Sequence, residues 1–214
     1  MMTSIKPIIK WVGGKTQSMK ILYEYIYLEK NDTLYVEPFI GGGSVFLTLQ
    51  PTRFIISDVN PNLMCMYKTV KEKCDDLCAY LTEFTTRYNS TAEDKLDLYL
   101  DLRKKFNQMK YNTSRDCAVH VEISGAFILL NKLCFNGLYR ENSQGEFNVP
   151  FGKKASVVVD IDNIKCLSDY LNKNSEHGKI ECKSYEKVVD GIKSHEGSVM
   201  MYMDPPYHVC EQSK

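Results

Sequence analysis

The feature that most constrains the fold is a run of three glycines between two short apolar segments near the start of the chain. Residues 33–39 and 53–59 are rich in β-branched and aromatic side chains and are bounded by turn formers, a pattern typical of strands. The segment between them, GGGSVFLTLQ, predicts a tight turn followed by a short helix. Two strands joined through a helix run parallel. The sequence therefore predicts an α/β fold built on a parallel sheet.

Two more strands are predicted towards the other end of the chain. Residues 179–184 and 198–203 have strand character, and residues 185–193 between them follow a helical pattern. Because these elements continue the alternation of strand and helix, we expect residues 1–61 and 155–214 to form a single sheet domain.

The middle of the chain, residues 62–154, follows a different pattern. Apolar side chains recur at helical spacing up to about residue 110 and again over residues 118–134. A polar segment rich in Asn, Gly and Pro follows, FNGLYRENSQGEFNVPFGKK, and predicts a hairpin with turns. We interpret residues 62–154 as a mainly helical insertion with a loop-rich tip.

Composition is typical of ordered, soluble proteins. Of the 214 residues, 43% are hydrophobic and 25% are charged. No apolar run approaches the roughly 20 residues of a membrane span, and the first residues lack the apolar core of a signal peptide. The eight cysteines include no C-x-x-C pair, which argues against a zinc site and a disulfide framework. We expect a cytoplasmic protein with no metal and no membrane contact.

The charges sum to zero but are distributed unevenly along the chain. Residues 1–30 carry five Lys and Arg against two Asp and Glu, and residues 101–154 carry nine against five. Such segments could together build a basic face that attracts phosphates. A merely solvated surface is equally compatible with the charge pattern alone.

The glycine run is the first candidate site. It follows Glu37-Pro38-Phe39, and glycines at the end of a strand let the backbone approach a ligand closely. Asp58 ends the second predicted strand, where a carboxylate can accept hydrogen bonds from both hydroxyls of a ribose. The pair suits a nucleoside cofactor such as S-adenosylmethionine. The alternative is a tight turn followed by an aspartate that caps the next helix.

The second candidate site is Asp204-Pro205-Pro206-Tyr207, directly after the fourth predicted strand. The exocyclic nitrogen of adenine is a poor nucleophile because its lone pair is delocalised into the ring. A carboxylate and a proline carbonyl that each accept one of its N–H groups can draw it towards tetrahedral geometry. Two prolines stiffen the turn, and an aromatic ring can stack on a base turned out of the duplex. The alternative is an ordinary proline turn after a strand.

The third candidate site is the segment KWVGGK near the start of the chain. It holds Trp11, the only tryptophan, and Lys15 beside two glycines. A ring edge, a flexible turn and a cation could bind the carboxylate-bearing tail of the cofactor. Taken alone, the segment fits equally a core tryptophan next to a solvated lysine.

Six blocks in a fixed order link these candidates: KWVGGK, VEPFIGGGSVF, SDVNPNL, NKLCFNGLYREN, GEFNVPFGK and DPPY. In this order they resemble the Dam-like family, the D12 class of DNA adenine-N6 methyltransferases. The resemblance spans residues 6–207. It implies a Rossmann-like sheet that binds S-adenosylmethionine without a metal, and a DNA-recognition insertion over the middle of the chain.

The resemblance also implies which residues form the cofactor and catalytic site. Matches to the cofactor motifs are Trp11, Lys15, Glu37, Pro38, Phe39, Gly41, Gly43, Asp58, Val59, Tyr185 and Asp204. Among them, Asp58 matches the acid on the ribose, and Val59 and Tyr185 match positions near the adenine ring. The catalytic tetrapeptide is matched by Asp204, Pro205, Pro206 and Tyr207.

For double-stranded DNA, the resemblance implies five contact residues in the insertion. Phe135 and Asn136 match the pair that enters the duplex, and Leu138, Arg140 and Pro150 match positions that meet target bases. An arginine is suited to guanine because it can donate two hydrogen bonds, to O6 and N7. The pattern favours a GATC-like recognition site.

Members of this family continue well beyond the DPPY tetrapeptide with further strands, whereas this chain ends at Lys214. We therefore expect a sheet without its C-terminal strands, with an exposed edge that self-association or a partner would cover. We also expect little or no turnover, because part of the pocket wall is absent.

Three functions remain open from the sequence. The first is a DNA adenine-N6 methyltransferase, and the second is a truncated, catalytically weak DNA-binding remnant of one. The third is a methyltransferase that acts on RNA or on a protein amide, because related tetrapeptides serve other planar amines and amides. The segments NGLYREN and NVPFG favour DNA over this third function, and an activity measurement separates the first two.

Overall fold

A parallel sheet of four strands forms the centre of the molecule. The computed structural model describes residues 4–15, 18–26, 32–92, 94–112 and 119–206. Within them the strands are β1 (Leu34–Glu37), β2 (Phe54–Ser57), β3 (Gly178–Glu181) and β4 (Val199–Met201). They lie in the order β3-β2-β1-β4, and every neighbouring pair is parallel. The predicted α/β class is confirmed.

Helices cover the sheet and continue beyond it. They are α1 (Met19–Tyr25), α2 (Ser44–Leu49), α3 (Pro61–Glu72), α4 (Cys74–Ser90), α5 (Lys95–Asn112), α6 (Val121–Leu133), α7 (Ile161–Lys173) and α8 (Tyr185–Ile192). A short 3-10 helix, Phe135–Gly137, follows α6. Each strand is shorter than predicted. At β1 the shortening has a clear cause, because Pro38 has no N–H to continue the ladder.

The two faces of the sheet are buried differently. Tyr35, Phe54 and Ile56 face the main core, which also includes side chains of the helices that follow β2. On the opposite face, Leu34 and Val36 pack with Val188 of α8 in a smaller cluster. Alternation of side chains along each strand produces this division. In the described sheet β4 is an outer strand that pairs only with β1, and the idea that a second copy or a partner covers its free edge stays a prediction.

The middle of the chain is helical, as the periodicity predicts. α6 packs against α3, α4 and α5, and its side chains are buried on nearly all sides, which explains why it is apolar almost throughout. α3 begins at Pro61 and packs on α6 as well as on α7 and β3. The proposed boundary at residue 62 therefore falls at the start of a helix that joins the two parts, and the division into domains stays a prediction.

A hairpin follows the 3-10 helix, where the sequence predicts a loop with turns. Glu141 pairs with Phe147 in an antiparallel bridge, and Asn142 closes the turn by accepting hydrogen bonds from the backbone N–H groups of Gln144 and Glu146. We call residues 139–149 the recognition hairpin.

Three further observations concern the described part of the chain. None of its helices is long and apolar enough to cross a membrane. It contains no group of three or more His, Cys, Asp or Glu side chains that could hold a metal ion. Six of the cysteines are free thiols, and Cys117 and Cys210 lie outside the described residues.

The side chain of Asn131 joins three segments. Its Oδ1 accepts from the backbone N–H of Lys10 at 2.8 Å, and its Nδ2 donates to the carbonyl oxygens of Lys10 and Gly137, both at 2.9 Å. The side chain is almost fully buried on α6. It therefore fixes the N-terminal segment and the turn after α6 to one point of the core.

We predict that Asn131→Ala lowers the free energy of unfolding by about 2–4 kcal/mol, because buried backbone groups lose their partners. Asn163→Ala is the matched control. Asn163 makes the same pair of hydrogen bonds to the backbone of Lys6, but in an exposed position where water can replace them. The control should cost about 1 kcal/mol or less. Urea unfolding measures both, and equal losses would contradict the prediction.

Candidate active site

The predicted site residues converge at the carboxyl edge of the sheet. The glycine loop, residues 38–43, follows β1, and Asp58 follows β2. Tyr185 begins α8 just after β3, and Asp204 follows β4. Parallel strands bring their carboxyl ends to one edge, where ligands of open α/β sheets bind. Pro205 and Pro206 are exposed beyond Asp204, and Tyr207 lies outside the described residues.

Two glycines of the loop have backbone conformations and neighbours that exclude a side chain. Gly41 has φ +47° and Gly43 has φ +72°. A Cβ on Gly41 would lie 2.6 Å from Cδ1 of Trp11, and one on Gly43 would lie 2.6 Å from the hydroxyl oxygen of Tyr67. That hydroxyl also donates to the carbonyl oxygen of Gly41 at 3.2 Å. The loop is therefore held from both sides.

Asp58 is bonded to the glycine loop. Its Oδ2 accepts from the N–H of Gly41 at 3.2 Å and its Oδ1 from the N–H of Asn60 at 3.0 Å. A carboxylate has about four lone-pair sites, so further acceptor capacity remains. Burial raises the pKa of this carboxyl. The cap of α3 is Asn60, whose Oδ1 accepts from two N–H groups of the first turn, so the helix-cap alternative for Asp58 is wrong.

An apolar surface lies beside Asp58. The rings of Phe39 and Tyr185 are 5.5 Å apart at an angle of 31°. Tyr185 is 41% exposed and Val59 is 66% exposed, although both are large apolar side chains. Ser57 fixes this arrangement, because its hydroxyl donates to the carbonyl oxygen of Lys183 and accepts from the N–H of the same residue. A surface of this kind can pack against a flat ring.

Glu37 is buried behind the loop, with only 3% of its surface exposed. The hydroxyl of Tyr35 donates to its Oε2 at 2.6 Å, and the N–H of Phe46 also donates to the carboxyl. Gly43 is the N-cap of α2 and has no side chain that could accept from the first turn. Glu37 supplies the missing acceptor for the N–H of Phe46. Burial, with a smaller effect from Asp204, raises the pKa of Glu37 to about 8. Direct contact of Glu37 with a cofactor stays a prediction.

Lys15 and Asp204 form an ion pair that joins the first and the last block of the sequence. The Lys15 ammonium also donates to the carbonyl oxygen of Gly13 at 3.0 Å. Because burial keeps Glu37 neutral near neutral pH, Glu37 adds no negative charge next to the Lys15–Asp204 pair. A cation, an oriented carboxylate and a neutral acid are thereby brought together.

Trp11 is half-buried and connects the glycine loop with the recognition hairpin. Its indole contacts Gly41, as described above, and stacks on Tyr139 at 5.6 Å and 23°. Its ring edge is thus largely used in packing. The prediction that it binds the tail of a cofactor is not tested by this geometry.

The residues predicted to contact DNA lie on one surface. Phe135 is 53% exposed, and Asn136, Leu138, Arg140 and Pro150 are also exposed. Phe135 and Pro150 are adjacent, because the N–H of Phe135 donates to the carbonyl oxygen of Pro150 at 2.9 Å.

A cavity with a volume of about 980 Å³ adjoins this surface. It is lined by Asn136 and Leu138 and by three lysines, Lys10, Lys132 and Lys154. Burial, together with nearby Lys10, lowers the pKa of Lys132. The lining also includes Trp11 and, from the glycine loop, Gly42, but it does not include Asp58 or Asp204. We call it the basic cavity.

A comparison with known families decides what this combination represents. Residues 11–214 match the family model for D12 class N6 adenine-specific DNA methyltransferases. The chain belongs to this family. The resemblance carried by the six sequence blocks is thereby confirmed.

Curated relatives agree with the D12 assignment. The chain is 41% identical to the type II methyltransferase M.MjaIII of Methanocaldococcus jannaschii, over 95% of this chain and 69% of that protein. It is 35% identical to the type II methyltransferase M1.LlaDCHI of Lactococcus lactis, over 95% and 66% respectively. It is 31% identical to the DNA adenine methylase of Vibrio cholerae, over 94% and 65%. The chain thus spans about two thirds of the length of these relatives.

Several residues of this D12-family site gave no signal in the sequence. Tyr67 supports the glycine loop, Asn131 supports the N-terminal segment, and Tyr139 supports Trp11. In the sequence, none of the three is distinguished from its neighbours. The three lysines of the basic cavity come from separate segments. Only the tertiary structure brings them together.

We predict that Glu37→Gln removes a pH dependence of stability. Between about pH 4.5 and 8 the unfolded wild-type chain has lost the Glu37 proton while the folded chain keeps it, so stability falls as pH rises through this window. The glutamine variant cannot lose a proton. Relative to it, wild type should lose on the order of a few kcal/mol across the window.

Urea unfolding at several pH values measures this difference. Glu83→Gln, at an exposed glutamate, is the control and should follow the wild-type curve. Parallel curves for wild type and Glu37→Gln would show that Glu37 is ionised in the folded protein.

Proposed function

We propose that this chain transfers a methyl group from S-adenosylmethionine to N6 of adenine in double-stranded DNA. The observation that carries the proposal is the convergence of the glycine loop, Asp58, the apolar surface beside it and the Lys15–Asp204 pair at one edge of the sheet. Membership of the D12 family supports the same reaction.

The residues present fit the cofactor. An adenine ring suits the apolar surface of Phe39, Tyr185 and Val59, and the carboxylate of Asp58 suits the ribose hydroxyls. The amino-acid end would lie towards Lys15 and the glycine loop. When bound, the cofactor supplies an activated methyl group on a positively charged sulfur.

Asp204 would bind the target amine. Its carboxylate and the carbonyl of Pro205 would each accept one N–H of adenine N6, which localises the nitrogen lone pair. Lys15 holds the carboxylate in place from the other side. Orientation of this kind can supply several kcal/mol of the barrier reduction. Tyr207 would stack on the flipped base, as the DPPY pattern implies.

Duplex DNA is favoured as the partner by the surface next to this edge. The basic cavity places three lysines beside Asn136 and Leu138, where phosphates would be attracted. Phe135 is an exposed aromatic side chain, of the kind that can enter a base stack. Arg140 would read a guanine, which fits a GATC-like site.

We predict that Asp58→Ala weakens binding of S-adenosylmethionine at least tenfold, about 1.4 kcal/mol, because the ribose hydroxyls lose their acceptor. Isothermal titration calorimetry measures the dissociation constant. Asp190→Ala is the control, since Asp190 is an exposed aspartate paired with Lys193 away from this edge. An unchanged constant for Asp58→Ala would remove Asp58 from the cofactor site.

We predict that Asp204→Ala reduces methyl transfer about a hundredfold or more, since the target amine loses an oriented acceptor. DNA binding should survive, and cofactor binding should fall much less than methyl transfer does. The assay uses tritium-labelled cofactor with enzyme in excess over duplex, so that a single turnover is detected. Wild type should place the label on adenine N6. Label on cytosine, or equal transfer by wild type and Asp204→Ala, would overturn the proposal.

A further inference from the structure

Asn148 holds the side chain of Arg140 in one orientation. Nε of Arg140 donates to Oδ1 of Asn148 at 2.8 Å, and Nη2 donates to the carbonyl oxygen of the same residue at 3.4 Å. Both residues lie on the recognition hairpin, opposite each other, and the N–H of Asn148 donates to the carbonyl oxygen of Arg140. An exposed arginine with two hydrogen bonds to one neighbour is restrained rather than free.

The geometry of a guanidinium determines what remains available. Its five N–H groups form two forks, one from Nε and Nη2 at the side and one from Nη1 and Nη2 at the end. Asn148 occupies the side fork. The end fork is therefore left to point outwards, and it can donate two parallel hydrogen bonds to O6 and N7 of a guanine.

The acids of the hairpin do not neutralise this arginine. Glu141 accepts a hydrogen bond from the hydroxyl of Tyr139, and Glu146 accepts one from Nδ2 of Asn142 at 2.9 Å. Within the described residues Arg140 forms no ion pair at the 4.0 Å limit of a salt bridge. Its charge thus stays available to a base or a phosphate.

Asn148 is itself fixed, because helix α5 binds the backbone on both sides of it. The side chain of Asn107 exchanges two hydrogen bonds with the backbone of Phe147, at 2.9 and 3.1 Å. The hydroxyl of Tyr99 donates to the carbonyl oxygen of Val149 at 2.7 Å. The position of Asn148, and through it that of Arg140, is therefore set by a helix and not by the loop alone.

We propose that Asn148 is a specificity-determining positioning residue: it presents the end fork of Arg140 to a guanine and so fixes the preference at one base pair of the recognition site. The inference rests on the proposed function, since it requires that the chain bind duplex DNA. Asn148 needs no base contact of its own for this effect.

The test is a binding selection on duplexes with a randomised centre, using the 214-residue chain. Wild type should enrich one sequence. Arg140→Ala should lose the preference at a single base pair by about tenfold or more. Asn148→Ala should lose most of the preference at that same base pair and keep it at the others. Gln108→Ala removes an exposed amide on α5, outside the hairpin, and should match wild type.

A second variant separates positioning from simple loss of structure. Asn148→Asp keeps an acceptor for Nε, so it should retain the base preference while affinity falls on every sequence, because the added charge repels phosphate. Thermal unfolding of each variant checks that it is folded. In the double variant Arg140→Ala, Asn148→Ala, the losses at that base pair should not add.

The outcomes distinguish failure of the proposed function from failure of the inference about Asn148. If wild type binds no duplex, the proposed function fails. If wild type enriches a sequence but folded Asn148→Ala keeps the full preference at the base pair lost in Arg140→Ala, the inference about Asn148 is wrong while the proposed function stands. An equal loss at all positions in Asn148→Ala would also overturn the inference.

Discussion

The packing of one indole ring holds the functional parts of the molecule together. Trp11 lies against Gly41 on one side and stacks on Tyr139 on the other, so the glycine loop and the recognition hairpin pack against the same side chain. Asn131 holds the backbone next to this ring. The contact depends on the bare Cα of Gly41, since any side chain there would overlap the indole. A glycine and a tryptophan thirty residues apart in sequence are thus two halves of one structural element.

The charges at the sheet edge show how the protein keeps two acids close together. Mutual repulsion disfavours two ionised carboxylates in a partly buried site. Here Glu37 is buried, is bonded to Tyr35 and has a raised pKa, whereas Asp204 lies nearer the surface beside Lys15. One acid then serves the N-terminus of α2 from the interior, and the other is available for chemistry. The motif EPF contains the acid that serves the N-terminus of α2, and the motif DPPY contains the acid that pairs with Lys15.

The sequence predicts the elements well because their signals are local. The glycine run, the strand patterns and the helical spacing identify the parallel sheet, α2, α8 and the helices of the middle segment, whereas α1 and α7 are not predicted. The site residues can be placed at one edge because strand ends are readable and parallel strands share a direction. The partners of these residues cannot be predicted, since they depend on long-range packing. Asn60 rather than Asp58 caps α3, Glu37 is covered by Tyr35, and Asn148 restrains Arg140.

The positions of Lys15 and Asp204 in the chain determine when each becomes available during synthesis. The two residues are 189 positions apart, and β4, which carries Asp204, pairs with β1 near the other end of the chain. At a translation rate of about 5–20 residues per second, roughly 10–40 s separate the emergence of Lys15 from that of Asp204. Once β2 and Asp58 have been made, the glycine loop and Asp58 can meet across β1 and β2 for the rest of this interval. The glycine loop and Asp58 are therefore complete long before Asp204 is made, and a nascent chain passes through a stage in which it has the first two without the third.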